Sequence, residues 1–187
     1  MTRPEVLDKE IVLNSKNYIV SKTDTKGVIT YANDYFIEIS GYTKQELIGT
    51  PHNIIRHPDM PKIVFKLMWD RIQSDQNIMA LVKNLTKEGK FYWVVTEFEA
   101  KKDKLTNETV SYTAFRKAAP RDAIAKIIPI YKKLISLEEE GGMEESEKFL
   151  IKFLDDKNMS YDEFIDDLVK NKGLFKMCFI AMKKFFS

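Results

Sequence analysis

One short stretch of the sequence concentrates side chains that could bind or recognise a ligand. Between Pro51 and Pro61 the chain carries Arg56, His57 and Asp59 close together. The prolines restrict the backbone, so these side chains lose less conformational freedom when a ligand binds. Arginine can clamp a phosphate or carboxylate, histidine can donate a hydrogen bond or ligate a metal, and the carboxylate can orient either one. The alternative is structural: Asp59 caps the following helix and pairs with Arg56 at the surface. The residue types favour the two interpretations equally.

Aromatic side chains are dense around this segment and could form the walls of a site. They are Tyr31, Tyr35, Phe36, Phe65, Trp69, Phe91, Tyr92 and Trp93. Aromatic residues at helix and strand spacing more often form a hydrophobic core, but a planar cofactor also needs such walls and a few polar anchors. Trp69 and Asn84 are the best placed for a role in a pocket. Asn84 could read the polar edge of a ring, or it could close a hairpin.

Composition and motifs argue against several classes of function. The chain has 187 residues, with 30 basic and 28 acidic side chains and no long basic tract, which argues against nucleic acid as a partner. It lacks the glycine-rich loops that cradle phosphates and the GxSxG motif of hydrolases, so we expect no enzyme. Its single cysteine, Cys178, excludes an intramolecular disulfide. No apolar leader opens the sequence, and its longest apolar stretch has about 14 residues where a spanning helix needs about 20, so we expect a cytoplasmic protein that does not span a membrane.

The elements that must position these residues follow an α+β pattern. Runs of β-branched and aromatic residues predict strands at 18–23, 28–31, 78–85, 91–98 and 109–115. Short helices are expected after the second strand, and Pro61 suits the first turn of an amphipathic helix. From Pro120 the pattern is wholly helical: a first helix has its apolar face at 124–135 and is expected to end at Gly141-Gly142, and further helices are expected at 144–154, 161–169 and 174–186. We therefore predict an N-terminal segment at 1–16, a sensor domain at 17–119 and a helical signalling region at 120–187.

Several parts of the sequence resemble the PAS domain of the bacterial aerotaxis-receptor type. The matching parts are Ile29-Thr30-Tyr31-Ala32-Asn33-Asp34, Ser40-Gly41-Tyr42-Thr43, Glu46-Leu47, the whole of Pro51 to Pro61, Met68-Trp69, Val82-Lys83-Asn84 and Tyr92-Trp93-Val94. The resemblance extends from about Tyr18 to Lys117. It implies the PAS fold, in which a five-stranded antiparallel sheet carries short helices on one face, here followed by C-terminal helices.

The same resemblance implies a cofactor and a set of site residues. Members of this family hold FAD non-covalently and report its redox state to the chemotaxis machinery, which implies a redox or oxygen sensor for energy taxis. The positions that fall on cofactor-binding or signalling residues of the family are Asn33, Arg56, His57, Asp59, Trp69 and Asn84. Two alternatives stay open. One is haem with His57 or His52 as axial ligand, which fits the presence of Ile78 where flavin-binding relatives carry tryptophan. The other is a PAS interaction module without a cofactor.

A partner is also implied. The family's receptors continue into a membrane anchor and a long signalling coil, which the helices predicted here do not supply. We therefore expect the PAS component of a split system whose partner is a separate methyl-accepting chemotaxis transducer in the membrane, so that the protein meets the inner membrane only through that partner. The candidate contact surfaces are the apolar face from Ile124 to Ile135 and the stripe of Phe175, Phe179, Met182 and Phe186. A homodimer through these helices is a further expectation.

Overall fold

The computed structural model describes residues 3–169, which form two compact units. The first unit contains the chain up to Met60 and Val64–Ala118, and the second contains Pro61–Ile63 and the chain from Ala119 onward. The helix predicted at 174–186, with its stripe from Phe175 to Phe186, lies outside the described residues.

Five strands form the sheet of the first unit. They are β1 (Ile19–Thr23), β2 (Ile29–Ala32), β3 (Ile78–Leu85), β4 (Phe91–Lys102) and β5 (Thr109–Ala118). All neighbours are antiparallel, in the order β2-β1-β5-β4-β3. The predicted five-stranded α+β fold is confirmed. The β4–β5 hairpin is longer than predicted because Asp103 accepts hydrogen bonds from the backbone of Leu105 and Thr106 and so closes a polar turn.

The helices of this unit follow β2 and end before β3. They are α1 (Asp34–Ser40), α2 (Lys44–Leu47), a 3₁₀ turn (His52–Ile55) and α3 (Lys62–Gln73), whose first two residues belong to the second unit. Asn33 caps α1, and Thr43 forms a capping box with Glu46 at the start of α2. These caps fix where the helices begin, and α1 and α3 bring Phe36 and Trp69 to the sheet.

Strand register places a row of polar residues on one face of the sheet. Asn84 is paired with Tyr92, and Thr96 is paired with Arg116. Cross-strand partners share a face and successive residues alternate between faces. Ser21, opposite Ala114 in the register, therefore lies on this face as well. Phe36 of α1 packs near Arg116, so this is the face that the helices cover, and we call it the inward face.

The second unit contains α4 (Arg121–Gly141), α5 (Met143–Asp155) and α6 (Tyr161–Val169). Glycine at position 142 ends α4 with a positive φ, as the sequence predicted. Most of the predicted contact face from Ile124 to Ile135 is buried, and Ile128 and Ile135 are half-buried, so this face packs largely inside the protein and is not the open contact surface that we expected. Among the described helices, none is long and apolar enough to span a bilayer.

Candidate cofactor site

The inward face of the sheet holds a buried arginine. Arg116 is 2% exposed, and its guanidinium donates to Ser21 Oγ at 3.0 Å and lies 2.8 Å from His52 Nε2. Its central carbon lies 5.8 Å from the ring centroid of Phe36 and 6.0 Å from that of Phe98. No carboxylate within the described part of the chain pairs with it. Burial lowers the pKa of Arg116 to about 10. A buried cation without an acidic partner is costly, and such groups cluster at functional sites.

His52 stays neutral beside this arginine. Burial and the charge of Arg116 hold the pKa of His52 well below its usual value. Nε2 therefore accepts the hydrogen bond from Arg116, and it also lies 3.0 Å from Ser21 Oγ. The ring stacks on Phe36 with centroids 5.9 Å apart. The Ser21, His52 and Arg116 side chains thus form a closed hydrogen-bonded group, which we call the arginine cluster.

Three further polar groups on the inward face have no hydrogen-bond partner among the described residues. They are Asn84 Nδ2, the Tyr92 hydroxyl and Thr96 Oγ1; Asn84 lies close enough to its cross-strand partner Tyr92 to oppose the rise in the pKa of that hydroxyl, but the two make no hydrogen bond of good geometry. Each unmet buried group costs about 1–3 kcal/mol, and native proteins rarely place several in one row. Burial raises the pKa of Tyr92 well above its usual value, so its hydroxyl stays protonated. The inward face therefore offers several unused donors and acceptors beside a fixed positive charge.

The segment between Pro51 and Pro61 does not act as one unit in the structure. Arg56 lies with its guanidinium carbon 3.6 Å from the ring centroid of Phe65, and its backbone bridges to that of Asn84. Asp59 lies 2.6 Å from Lys83 Nζ, which is itself 4.2 Å from the ring centroid of Phe91. Arginine and aspartate are therefore held by different neighbours, one on α3 and the other on β3.

The His57 side chain lies near Asp59 and is not part of the row of polar side chains on the inward face. Its ring packs edge-on against Phe91, with centroids 5.8 Å apart. Phe91 and Lys83 alternate along their strands with Tyr92 and Asn84, so they project from the opposite face of the sheet. His57 and Asp59 thus contact that opposite face, whereas the side chain of Asn84 lies in the inward row.

The protonation of His57 follows from its bonds. Nδ1 accepts the backbone N–H of Asp59 at 3.0 Å, so the ring proton belongs on Nε2, which has no partner among the described residues. Burial and the charge of Lys83 lower the pKa of His57 to about 4, against the opposing effect of Asp59. His57 is therefore neutral at physiological pH.

Trp69 and Asn33 have different kinds of neighbour. The Trp69 ring lies edge-on to Tyr112, with centroids 5.8 Å apart, and a Cβ at Gly27 would lie 3.0 Å from it. The Trp69 ring therefore packs against the backbone of Gly27, where a larger residue would collide with it, and reaches Tyr112 on the inward face.

The side-chain amide of Asn33 joins α1 to β1. Its oxygen accepts the backbone N–H of Phe36 at 3.1 Å and that of Val20 at 3.0 Å, and its nitrogen donates to the carbonyl of Tyr18. Asn33 therefore fixes α1 on β1 and positions Phe36 beside the arginine cluster.

The sequence analysis missed the residues at the centre of the site. Arg116, Ser21 and Thr96 were not identified as candidates, Tyr92 was considered only as an aromatic wall, and His52 was considered only as a haem ligand. One signal was available. Arg116 shares the inward parity of β5 with Tyr112 and Ala114, so a charged side chain occupies a buried position of a strand.

Comparison with known proteins agrees with this architecture. A sequence profile described as the PAS fold matches residues 29–110. Two solved light-oxygen-voltage domains show the same fold. The first, studied with a flavin analogue, aligns with a TM-score of 0.53 at 17% identity and covers 63% of this chain and 87% of that one. The second, the light state of the blue-light photoreceptor Aureochrome1, aligns with a TM-score of 0.52 at 16% identity and covers 64% of this chain and 92% of that one. The first unit therefore has the PAS fold.

Within that class, the chain is similar to a sensory receptor. It is 38% identical over 133 residues to the aerotaxis receptor of Escherichia coli, an alignment that covers 71% of this chain and 26% of the receptor. The resemblance to the PAS region of aerotaxis receptors predicted from the sequence is confirmed. The chain spans about a quarter of the length of that relative.

Proposed function

We propose that the chain is a redox or oxygen sensor for energy taxis, not an enzyme, whose PAS domain binds FAD on its inward face. The observation that carries the proposal is the row of unpartnered polar groups on this face beside the arginine cluster. The similarity to the aerotaxis receptor supports the sensory role. A bound flavin would supply the redox chemistry by taking up or releasing electrons and protons.

The side chains present fit the polar ring of a flavin. Asn84 Nδ2, the Tyr92 hydroxyl and Thr96 Oγ1 offer hydrogen bonds that nothing in the described chain satisfies. Phe36 and Phe98 offer apolar ring surfaces whose centroids lie 5.8 and 6.0 Å from the guanidinium carbon of Arg116. The fixed charge of Arg116 favours whichever state of a ligand carries more negative charge. Redox state and the packing of this face are thereby coupled.

Haem is the second candidate, since His57 Nε2 is buried and has no hydrogen-bond partner in the described chain. Ligation through Nε2 would move the ring proton to Nδ1 and break the hydrogen bond from the Asp59 backbone. His52 is less suitable because its Nε2 already bonds Ser21 and Arg116, whose charge repels a metal ion. The geometry therefore favours flavin.

We further propose that the protein is cytoplasmic and signals to a methyl-accepting transducer in the membrane, meeting the inner membrane through that partner. The similarity to an aerotaxis receptor supports this role. Co-purification of the chain with such a transducer, from oxidised and from reduced cells, tests it. A complex whose amount does not change with redox state would contradict signalling through that contact.

Visible absorption of the purified protein tests the cofactor. Flavin absorbs in the blue, haem gives an intense Soret band, and a cofactor-free module gives neither. We expect flavin absorption and its loss in Arg116→Met, while Lys101→Met, an exposed position on β4, keeps it. A Soret band abolished by His57→Ala would establish haem instead. A colourless protein that binds neither FAD nor haem on reconstitution would refute both.

A further inference from the structure

Helix α3 begins without a cap from its own neighbourhood. The residue before Lys62 is Pro61, whose side chain has no hydrogen-bond acceptor. The first N–H groups of a helix have no partner inside the helix and need one from outside. Serine, threonine, aspartate or asparagine usually supplies it from the N-cap position. Another part of the chain must do so here.

Glu138, near the end of α4, supplies that cap. Its Oε2 accepts the backbone N–H of Lys62 at 2.9 Å and its Oε1 accepts that of Ile63 at 2.8 Å. Ser146 of α5, which is fully buried, places its hydroxyl 3.4 Å from Oε1. All these residues belong to the second unit. A carboxylate with both oxygens on the positive end of a helix makes charge-assisted bonds.

The helix that Glu138 caps also carries residues of the candidate site. After Ile63, α3 bears Phe65, which stacks on Arg56, and Trp69, which lies against Gly27 and Tyr112. A helix moves largely as one body, so the position of its first turn and the position of Trp69 are coupled. From α4, Glu138 bonds the first two N–H groups of this helix.

We propose that Glu138 is a positioning residue that relays the state of the cofactor site to α4 and α5 through α3. The relay rests on the proposed function, since the ligand whose state it reports is FAD. When the ligand changes the preferred position of α3, the two bonds to Glu138 strengthen or weaken, and α4 and α5 respond. Linkage makes the effect reciprocal, so weakening the cap must change ligand affinity by the same factor.

Amide hydrogen exchange tests the cap itself in the ligand-free chain. Loss of a helix cap corresponds to an opening equilibrium about 2- to 30-fold larger, so Glu138→Ala should speed exchange at Lys62 and Ile63 by that factor. Glu138→Gln keeps an acceptor oxygen and should have a smaller effect, which covers the case in which the alanine variant does not fold. Glu139→Gln, at the neighbouring exposed position, is the matched control and should change nothing. Unchanged exchange in both Glu138 variants would overturn the proposal.

Two further measurements separate a relay from a simple cap. The chain has two tryptophans, so ¹⁹F NMR of protein labelled with 5-fluorotryptophan gives one signal for Trp69 and one, as internal reference, for Trp93. We expect Glu138→Gln to shift the Trp69 signal and to weaken FAD binding by about 2-fold or more, at the lower limit of the cap effect. Faster exchange at Lys62 with neither change would overturn the relay. Failure of the wild-type chain to bind FAD would refute the proposed function instead, and the Trp69 signal of the ligand-free chain would then decide whether Glu138 positions α3.

Discussion

Replacing Arg116 with methionine should stabilise the ligand-free protein while removing its ability to bind the cofactor. Arg116 bonds Ser21 and His52 and has no acidic partner in the described chain. Methionine fills a similar elongated volume without a charge. Substitution of a buried ion by an apolar residue of similar size is often neutral or stabilising.

The magnitude follows from the pKa. Burial lowers the pKa of Arg116 from 12.5 to about 10. Each unit corresponds to about 1.4 kcal/mol, so keeping the guanidinium charged in the folded chain costs about 3 kcal/mol. The Ser21 hydroxyl and His52 Nε2 lie 3.0 Å apart and keep their mutual bond, so neither is left alone when the arginine is removed. We therefore expect Arg116→Met to raise the free energy of unfolding by about 1–3 kcal/mol.

Urea unfolding of the ligand-free protein measures this change. The midpoint should rise without a change in the slope, which would show that stability and not compactness has changed. Lys101→Met, on the exposed part of β4, should leave the midpoint within experimental error. A loss of stability greater than about 1 kcal/mol in Arg116→Met would refute the reasoning, because the guanidinium would then contribute more through packing than its burial costs.

Three other perturbations follow from the same contacts. Because the pKa of His57 is lowered from 6.5 to about 4, the contribution of His57 to the free energy of unfolding should be constant above pH 6.5 and fall by up to about 3 kcal/mol as the pH drops toward 4. His52, whose pKa is also lowered, adds an acid dependence of the same sign. His57→Gln should therefore reduce, but not abolish, the loss of stability in acid measured by urea unfolding, and an unchanged pH profile would contradict the assignment. Gly27→Ala should lower the free energy of unfolding more than Gly49→Ala. Both glycines have φ of 81°, but the new Cβ at position 27 would lie 3.0 Å from the Trp69 ring, whereas the one at position 49 would have no neighbour within 4 Å. Equal losses of stability in the two variants would show that the Trp69 ring moves aside without cost. Asn33→Ala should lower the free energy of unfolding by about 1–2 kcal/mol through loss of the α1 cap, and a neutral effect in thermal unfolding would show that water replaces the amide.

The sequence predicted the order of strands and helices well because that information is local. Runs of β-branched and aromatic residues predicted β1, β3 and β5. Pro61 and Thr43 marked helix starts through local backbone chemistry. Such features depend on residues a few positions apart, and the sheet then forms in the register that buries the apolar side chains.

The composition of the candidate site was harder to predict because it depends on strand parity and long-range register. Adjacency in the sequence suggested that Arg56, His57 and Asp59 form one rim, yet the chain turns between them, and the last two contact the opposite face of the sheet from the Asn84 side chain. Arg116 meets His52 only because β5 lies beside β1 and the 3₁₀ turn reaches that strand. Neither relation is visible without the fold.

The electrostatic energy at the arginine cluster sets how far one charge on the ligand can shift a conformational equilibrium. Two unit charges about 6 Å apart interact by about 3 kcal/mol at an effective dielectric constant of about 20, which equals the cost of burying Arg116 derived above. A ligand that gains a negative charge on the inward face therefore offsets that cost and shifts a two-state equilibrium by about 100-fold. Complete switching between 1% and 99% needs about 5.5 kcal/mol, so the charge alone is insufficient. The remainder must come from hydrogen bonds that differ between the two states, and Asn84, Tyr92 and Thr96 are the buried groups on this face that have hydrogen-bonding capacity to spare.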